Sequence, residues 1–137
     1  MNDKIGLACI IDDDNIYVNL IKRIIKAKHL CQNLLVFQNG KEALNYFEAL
    51  LNNLDKQNIP EIIFLDLNMP VMDGWEFLDN FIKIKNRLGK TITLYVVSSS
   101  INPIDRERAK SITSVKDYLV KPVTIEELEI IFSKGMV

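Results

Sequence analysis

Two adjacent aspartates, Asp12 and Asp13, a third at Asp66, a serine at Ser98 and a lysine at Lys121 are the residues whose types could do chemistry together. Each follows an apolar run: Ile5 to Ile11, Ile62 to Leu65, Thr91 to Val97 and Val115 to Val120. Such near-continuous runs are the pattern of strands buried on both faces, so the polar residues stand where strands leave a sheet. Carboxylates gathered within a few ångströms raise one another's proton affinity unless a cation sits among them. Hard oxygen donors of this kind favour Mg²⁺. A carboxylate beside that ion can attack phosphorus and form an aspartyl phosphate, while an ammonium and a hydroxyl offset the charge on the transferred group. The residues therefore predict magnesium-dependent chemistry at phosphorus, provided the ends of the runs meet.

The segments between the runs supply the means. From Ile16, apolar residues recur at Tyr17, Leu20, Ile21, Ile24 and Ile25, one stripe of a helix that Asp14 or Asn15 could cap. Leu34 to Phe37 reads as a short second strand, Gln38-Asn39-Gly40 as a turn, and Ala43, Phe47, Leu50, Leu51 and Leu54 as the face of a second helix. A polar loop from Asn52 to Asn58 follows, closed by Pro60. Phe77, Phe81, Ile84 and Leu88 make a third helix, with Asp73 and Glu76 as a capping box and Gly89 as a stop. Asn102-Pro103 opens a fourth helix to about Ser111, anchored by only Ile104, Ala109 and Ile112, which makes it the most loosely held element. Thr124 and Glu127 form a second capping box, before a last helix with Ile125, Leu128, Ile131 and Phe132 on its apolar face. Strand and helix alternate five times, which implies an α/β fold with a doubly wound parallel sheet, because parallel strands need crossover connections. In such a sheet all carboxyl ends share one edge, where ligands bind.

Composition narrows the function classes. A chain of 137 residues with 48% hydrophobic content fits one domain spanning 1–137, with nothing left over for an output domain. Seventeen basic against eighteen acidic residues leave a net charge of -1 and no basic block, so neither nucleic acid nor an anionic membrane is an expected partner. Cys9 lies within an apolar run and Cys31 follows a helix, a pattern of two reduced thiols in the cytoplasm. The N-terminus reads as neither a signal peptide nor a membrane span.

At the chemistry-bearing positions the chain resembles the receiver domain of two-component response regulators, the CheY-like family. The resemblance rests on the acidic pair Asp12-Asp13, the run Asp66, Asn68, Met69, Pro70, Met72, Asp73 and Gly74, a hydroxyl residue after the fourth strand, and Lys121-Pro122 after the fifth. It implies a five-stranded sheet of order 2-1-3-4-5 with five helices, as in flavodoxin and CheY. It further implies that Asp66 is the phosphoacceptor, Asp13 a direct Mg²⁺ ligand and Asp12 a water-mediated one, with the Asn68 backbone carbonyl completing the protein's share. Ser98 corresponds to the switch hydroxyl, Ser99 being the alternative one residue later, and Lys121 to the family's lysine, with a cis peptide before Pro122. Tyr118 corresponds to the aromatic switch that moves inward when Ser98 is recruited, altering the face of the fourth helix, fifth strand and fifth helix. The chain lacks the family's usual Gly-Ala pair before the fifth strand.

A sensor histidine kinase or histidine phosphotransfer protein is then the expected donor, and a downstream protein binding the altered face the expected readout, with the chain a monomer or a phosphorylation-dependent dimer. Catalysis beyond self-catalysed phosphotransfer and dephosphorylation is not expected. Plainer readings stand beside these. Asp12, Asp13 and Asp14 could serve only to cap the first helix, Tyr118 could be packing, Trp75 a partly exposed packing residue at the mouth, and His29 a helix-end cation. The alternative function is a metal-dependent phosphohydrolase with an aspartyl-phosphate intermediate, although that chemistry usually wants an acid where Asn68 stands. Flavin binding would need a phosphate-cradling loop after the first strand, and that loop is acidic.

Overall fold

A computed structural model describes residues 5–134. Five strands, β1 (Ile5–Ile11), β2 (Cys31–Phe37), β3 (Ile62–Asp66), β4 (Thr93–Ser98) and β5 (Val115–Val120), form one parallel sheet in the order β2-β1-β3-β4-β5. The crossovers are α1 (Asn15–Ala27), α2 (Gly40–Leu50), α3 (Gly74–Lys85), α4 (Pro103–Ser111) and α5 (Ile125–Lys134). The expected class and strand order are both observed.

Side chains alternate across each strand, and the two faces bury different helices. Cys9, Ile11, Ile63, Leu65 and Val96 pack with Ala43 and Phe47 of α2 and with Phe77 and Phe81 of α3. Ala8, Ile10, Ile62, Phe64 and Val97 pack with Val18, Ile21 and Ile25 of α1 and with Leu128 and Phe132 of α5. The same alternation sorts the polar residues that end the strands. Asp12, Asp66 and Lys121 continue the rows facing α1 and α5, whereas Ser98 continues the row facing α3 and α4.

Helix ends follow local chemistry. The Asp14 carboxylate accepts from the Tyr17 amide at 3.1 Å, so Asp14, not Asn15, caps α1. Asn39 caps α2, and both expected capping boxes are present, Asp73 with Glu76 and Thr124 with Glu127. Gly89, at φ 72, ends a 3-10 turn (Asn86–Leu88) that continues α3. The Lys121-Pro122 peptide is cis, as the resemblance implied.

Several boundaries differ from expectation. The second strand starts at Cys31 rather than Leu34, because Gln32 and Asn33 are exposed on an edge strand and carry no apolar signal. The fourth starts at Thr93 rather than Thr91. Helix α2 ends at Leu50, leaving Leu51 and Leu54 beyond it, with Leu54 exposed. Ile104 is 72% exposed and anchors nothing, so Ala109 is the one buried residue of α4. No disulfide joins Cys9 and Cys31.

Candidate functional site

The carboxyl edge of the sheet carries the cluster. Asp66 is the last residue of β3 and pairs with Val97 of β4, while Ser98 pairs with Val120, the residue before Lys121. Strand β1 ends at Ile11, opposite Phe37 and Leu65, and delivers Asp12 and Asp13 to the same rim. Carboxylate oxygens of Asp12, Asp13 and Asp66 lie within 4.8 Å of one another. Asp12 and Asp66 are buried and Asp13 is exposed, so the cluster opens to solvent on one side.

Lys121 supplies the internal counter-charge. Its ammonium is 2.8 Å from Asp12 Oδ2, 3.7 Å from Asp66 Oδ1 and 4.6 Å from the ring centroid of Tyr17. The Lys121 amide also donates to the Ser98 carbonyl at 2.9 Å, tying β5 to the end of β4. One cation among three carboxylates does not balance them. Burial pushes the Asp66 carboxyl up to about 6; Asp12 adds to the rise, Lys121 and a backbone hydrogen bond from Asn68 oppose it, and Asp13 adds a little more. The other Asp12 oxygen accepts from the Asp14 amide at 2.9 Å, which fixes its orientation. Exposed oxygen donors beside buried, under-compensated carboxylates fit a hard divalent cation.

Two glycines shape the loop after Asp66. The Gly74 amide donates to the Leu67 carbonyl at 2.9 Å, and a Cβ there would collide with the Asp66 carbonyl and come within 2.7 Å of Leu67 Cα. A Cβ at Gly40 would come within 2.9 Å of the Met72 carbonyl, to which its amide donates at 3.2 Å. Between them Val71 adopts φ 71, a left-handed conformation that β-branched residues rarely take, so the loop stores strain beside the cluster.

On the α4 side, Ser98 is buried whereas Ser99 is exposed, which makes Ser98 the hydroxyl facing the interior. Its Oγ accepts from the Ser100 amide at 3.1 Å. Ser100 in turn donates its hydroxyl to Asp105 of α4 at 3.0 Å, and its carbonyl accepts from the Tyr118 hydroxyl at 2.8 Å. Tyr118 is thus inward already, 4% exposed. Trp75 is half-buried at the mouth, as expected, and the Arg108 guanidinium of α4 lies 4.1 Å from its ring centroid. Asn68 is exposed beside the cluster, and His29 follows the end of α1 at φ 52. Sequence reasoning missed Tyr17, Ser100 and Arg108 as neighbours of these groups. Tyr17 carried a usable signal: it lies on the first turn of a helix that starts immediately after the acidic pair.

Residues 8–132 match the family model of the response regulator receiver domain. The chain belongs to that family. Receiver domains are signalling modules of two-component systems rather than conventional enzymes, and the phosphohydrolase alternative finds no support among the relatives. The receiver is 32% identical to the probable methanogenesis regulatory protein FilR2 of Methanothrix harundinacea, over 88% of this chain and 74% of that one. The sensor histidine kinase CheAY of Helicobacter pylori and the two-component response regulator ORR22 of Oryza sativa, which it also matches, are far longer, and it spans 15% of the length of each. Among solved structures, a two-component response regulator from Cytophaga hutchinsonii superposes with a TM-score of 0.85 at 30% identity, covering 97% of this chain and 98% of that one. The receiver domain of Ssk1 from Saccharomyces cerevisiae, in co-crystal with the histidine phosphotransfer protein Ypd1, shares the fold at 19% identity and a TM-score of 0.77, over 96% of this chain and 89% of that one. Among the described residues no helix is long and apolar enough to cross a membrane.

Proposed function

We propose that this receiver accepts a phosphoryl group on Asp66 from the phosphohistidine of a sensor histidine kinase or a histidine phosphotransfer protein, and that the modified surface binds a downstream protein. The observation carrying this reading is the meeting of Asp12, Asp13, Asp66 and Lys121 at one rim. An Asp66 oxygen forms the new bond to phosphorus as the nitrogen–phosphorus bond of the donor breaks, and the departing imidazole keeps the electron pair and takes a proton from solvent. Asp12, Asp13, Asp66 and the Asn68 carbonyl are the residues to hold Mg²⁺, which when bound supplies positive charge against the phosphoryl oxygens. Lys121 shares that task from the opposite side, and Ser98 donates its hydroxyl to a phosphoryl oxygen. The same residues support slow self-catalysed transfer from small phosphodonors and slow autodephosphorylation.

Signal output follows from the position of Ser98. When the phosphoryl group draws Ser98 towards itself, the Ser98–Ser100 contact changes, and with it the Ser100 bonds to Tyr118 and Asp105. Phosphorylation thereby biases the α4-β5-α5 face towards one arrangement, the inward Tyr118 belonging to the engaged one. The two cysteines outside any disulfide agree with a cytoplasmic place of action.

The experiment is mass spectrometry after incubation with acetyl phosphate or phosphoramidate and Mg²⁺. One phosphoryl group is expected on the wild type and none on Asp66→Asn; equal labelling of both overturns the assignment.

A further inference from the structure

We propose that Tyr17 is a positioning residue for the phosphotransfer, carrying the Lys121 ammonium on its ring so that the cation stays beside Asp66; this rests on the function proposed above. Lys121 has two carboxylate partners, and the shorter contact is to Asp12, itself one of the three carboxylates grouped closely enough to hold a metal ion. A divalent cation held at the cluster, directly or through water, would compete for Asp12 and would leave Lys121 its longer, 3.7 Å contact with Asp66. A lysine side chain has four rotatable bonds, and a loosened ammonium moves to water unless something else holds it. The Tyr17 ring is that holder, 4.6 Å from Nζ.

Its placement suits the task. Tyr17 comes from the first turns of α1, capped by Asp14, so the helix that starts after the acidic pair brings the ring back over the same rim. Beside the ring lies a space of about 10 Å³ lined by Ile21, Phe64, Val97 and Leu128 as well as by Asp12, too small to receive an ammonium. The Lys121 side chain is only 14% exposed with the ring in place. A ring that merely filled space could be replaced by any apolar group of similar size; a ring that holds a cation could not.

The test uses the full chain and two readouts. The first is the rate of Asp66 labelling by acetyl phosphate with Mg²⁺; the second, free of metal and phosphodonor, is the rate at which an amine-acylating reagent modifies Lys121, followed by mass spectrometry. Tyr17→Leu is expected to label about three- to thirty-fold slower, the range such a contact is worth, and to expose Lys121 to faster acylation. Tyr17→Phe keeps the ring and is expected to match wild type in both. Pentafluorophenylalanine at position 17 preserves shape while reversing the charge on the ring face, and should behave like Tyr17→Leu even where that variant folds poorly. Wild-type rates in the pentafluorophenylalanine protein, or losses in Tyr17→Phe equal to those in Tyr17→Leu, overturn the proposal. Absence of labelling in the wild type refutes the parent reading alone, because the acylation readout still decides on Tyr17.

Discussion

The Lys121 ammonium sits closer to Asp12, at 2.8 Å, than to Asp66, at 3.7 Å. The lysine thus occupies part of the ligand set that a divalent ion would use. Replacing it with the uncharged Lys121→Met should remove this competitor and tighten Mg²⁺ binding, by about tenfold if the competing contact is worth roughly 1.4 kcal/mol. Labelling of Asp66 should fall at the same time, because the transferred group loses a counter-charge. Calorimetric titration of Mg²⁺ into both proteins separates the effects. Unchanged affinity would mean that Lys121 vacates Asp12 freely.

The Asp66 carboxyl, pushed from its usual 3.8 up to about 6 chiefly by burial, gives a second expectation. A raised acid favours the folded state while protonated, so its contribution is present below about pH 4 and is lost as pH rises through about 6. At about pH 8 the metal-free wild type carries the full load of a buried carboxylate, on the order of 3 kcal/mol at about 1.4 kcal/mol per tenfold change in proton affinity. Asp66→Asn should accordingly be the more stable protein at about pH 8 in urea denaturation without metal, and the gap should close near pH 4. Mg²⁺ binds the ionised form, so its stabilising effect on wild type should grow between about pH 5 and pH 8.

Gly74 tests how tightly the loop after Asp66 is built. The groups nearest an added Cβ are backbone, the Asp66 carbonyl and Leu67 Cα, and neither can swing aside as a side-chain tip would. Gly74→Ala should cost about 1 to 3 kcal/mol in denaturant midpoint analysis, as overpacking of a close contact does. It should also slow Asp66 labelling, because the displaced carbonyl belongs to the nucleophile's own residue. A fully stable variant with normal labelling would show the contact to be loose.

How far these features could be read from the chain depends on how local their causes are. The ends of β1, β3 and β5 stood out because their apolar runs stop abruptly at charged residues, and both capping boxes were legible because a cap is set by residues three apart. The start of β2 was hidden because an edge strand tolerates Gln32 and Asn33 in exposed positions. Gly74 was legible as a turn, yet the reason it must be glycine lies in a strand end eight residues earlier. Ser99 stood as an alternative to Ser98 until burial separated them, and Tyr17, although it closely follows the acidic pair, also lay on an apolar stripe. Pairings such as Tyr17 with Lys121 join distant segments, and no spacing within either segment announces them.

The contact between Arg108 and Trp75 yields the last expectation. Helix α4 buries only Ala109, so little apolar packing holds it on β5 and α3. Its remaining ties are polar: the Ser100 hydroxyl on Asp105, the Lys110 ammonium 3.9 Å from Asp117 of β5, and the guanidinium at 4.1 Å from the Trp75 ring centroid. A partly exposed cation–π contact is worth roughly 0.5 to 1 kcal/mol, small against the whole fold but large against the local stability of a helix with one buried side chain. Arg108→Ala should therefore leave the global denaturation midpoint nearly unchanged while speeding hydrogen exchange at the amides of α4 several-fold relative to those of α3. Trp75 emission should shift in the same variant, because its ring loses the cation above it. Exchange that slows or stays constant in α4 would show that the ring contact follows the position of the helix instead of fixing it.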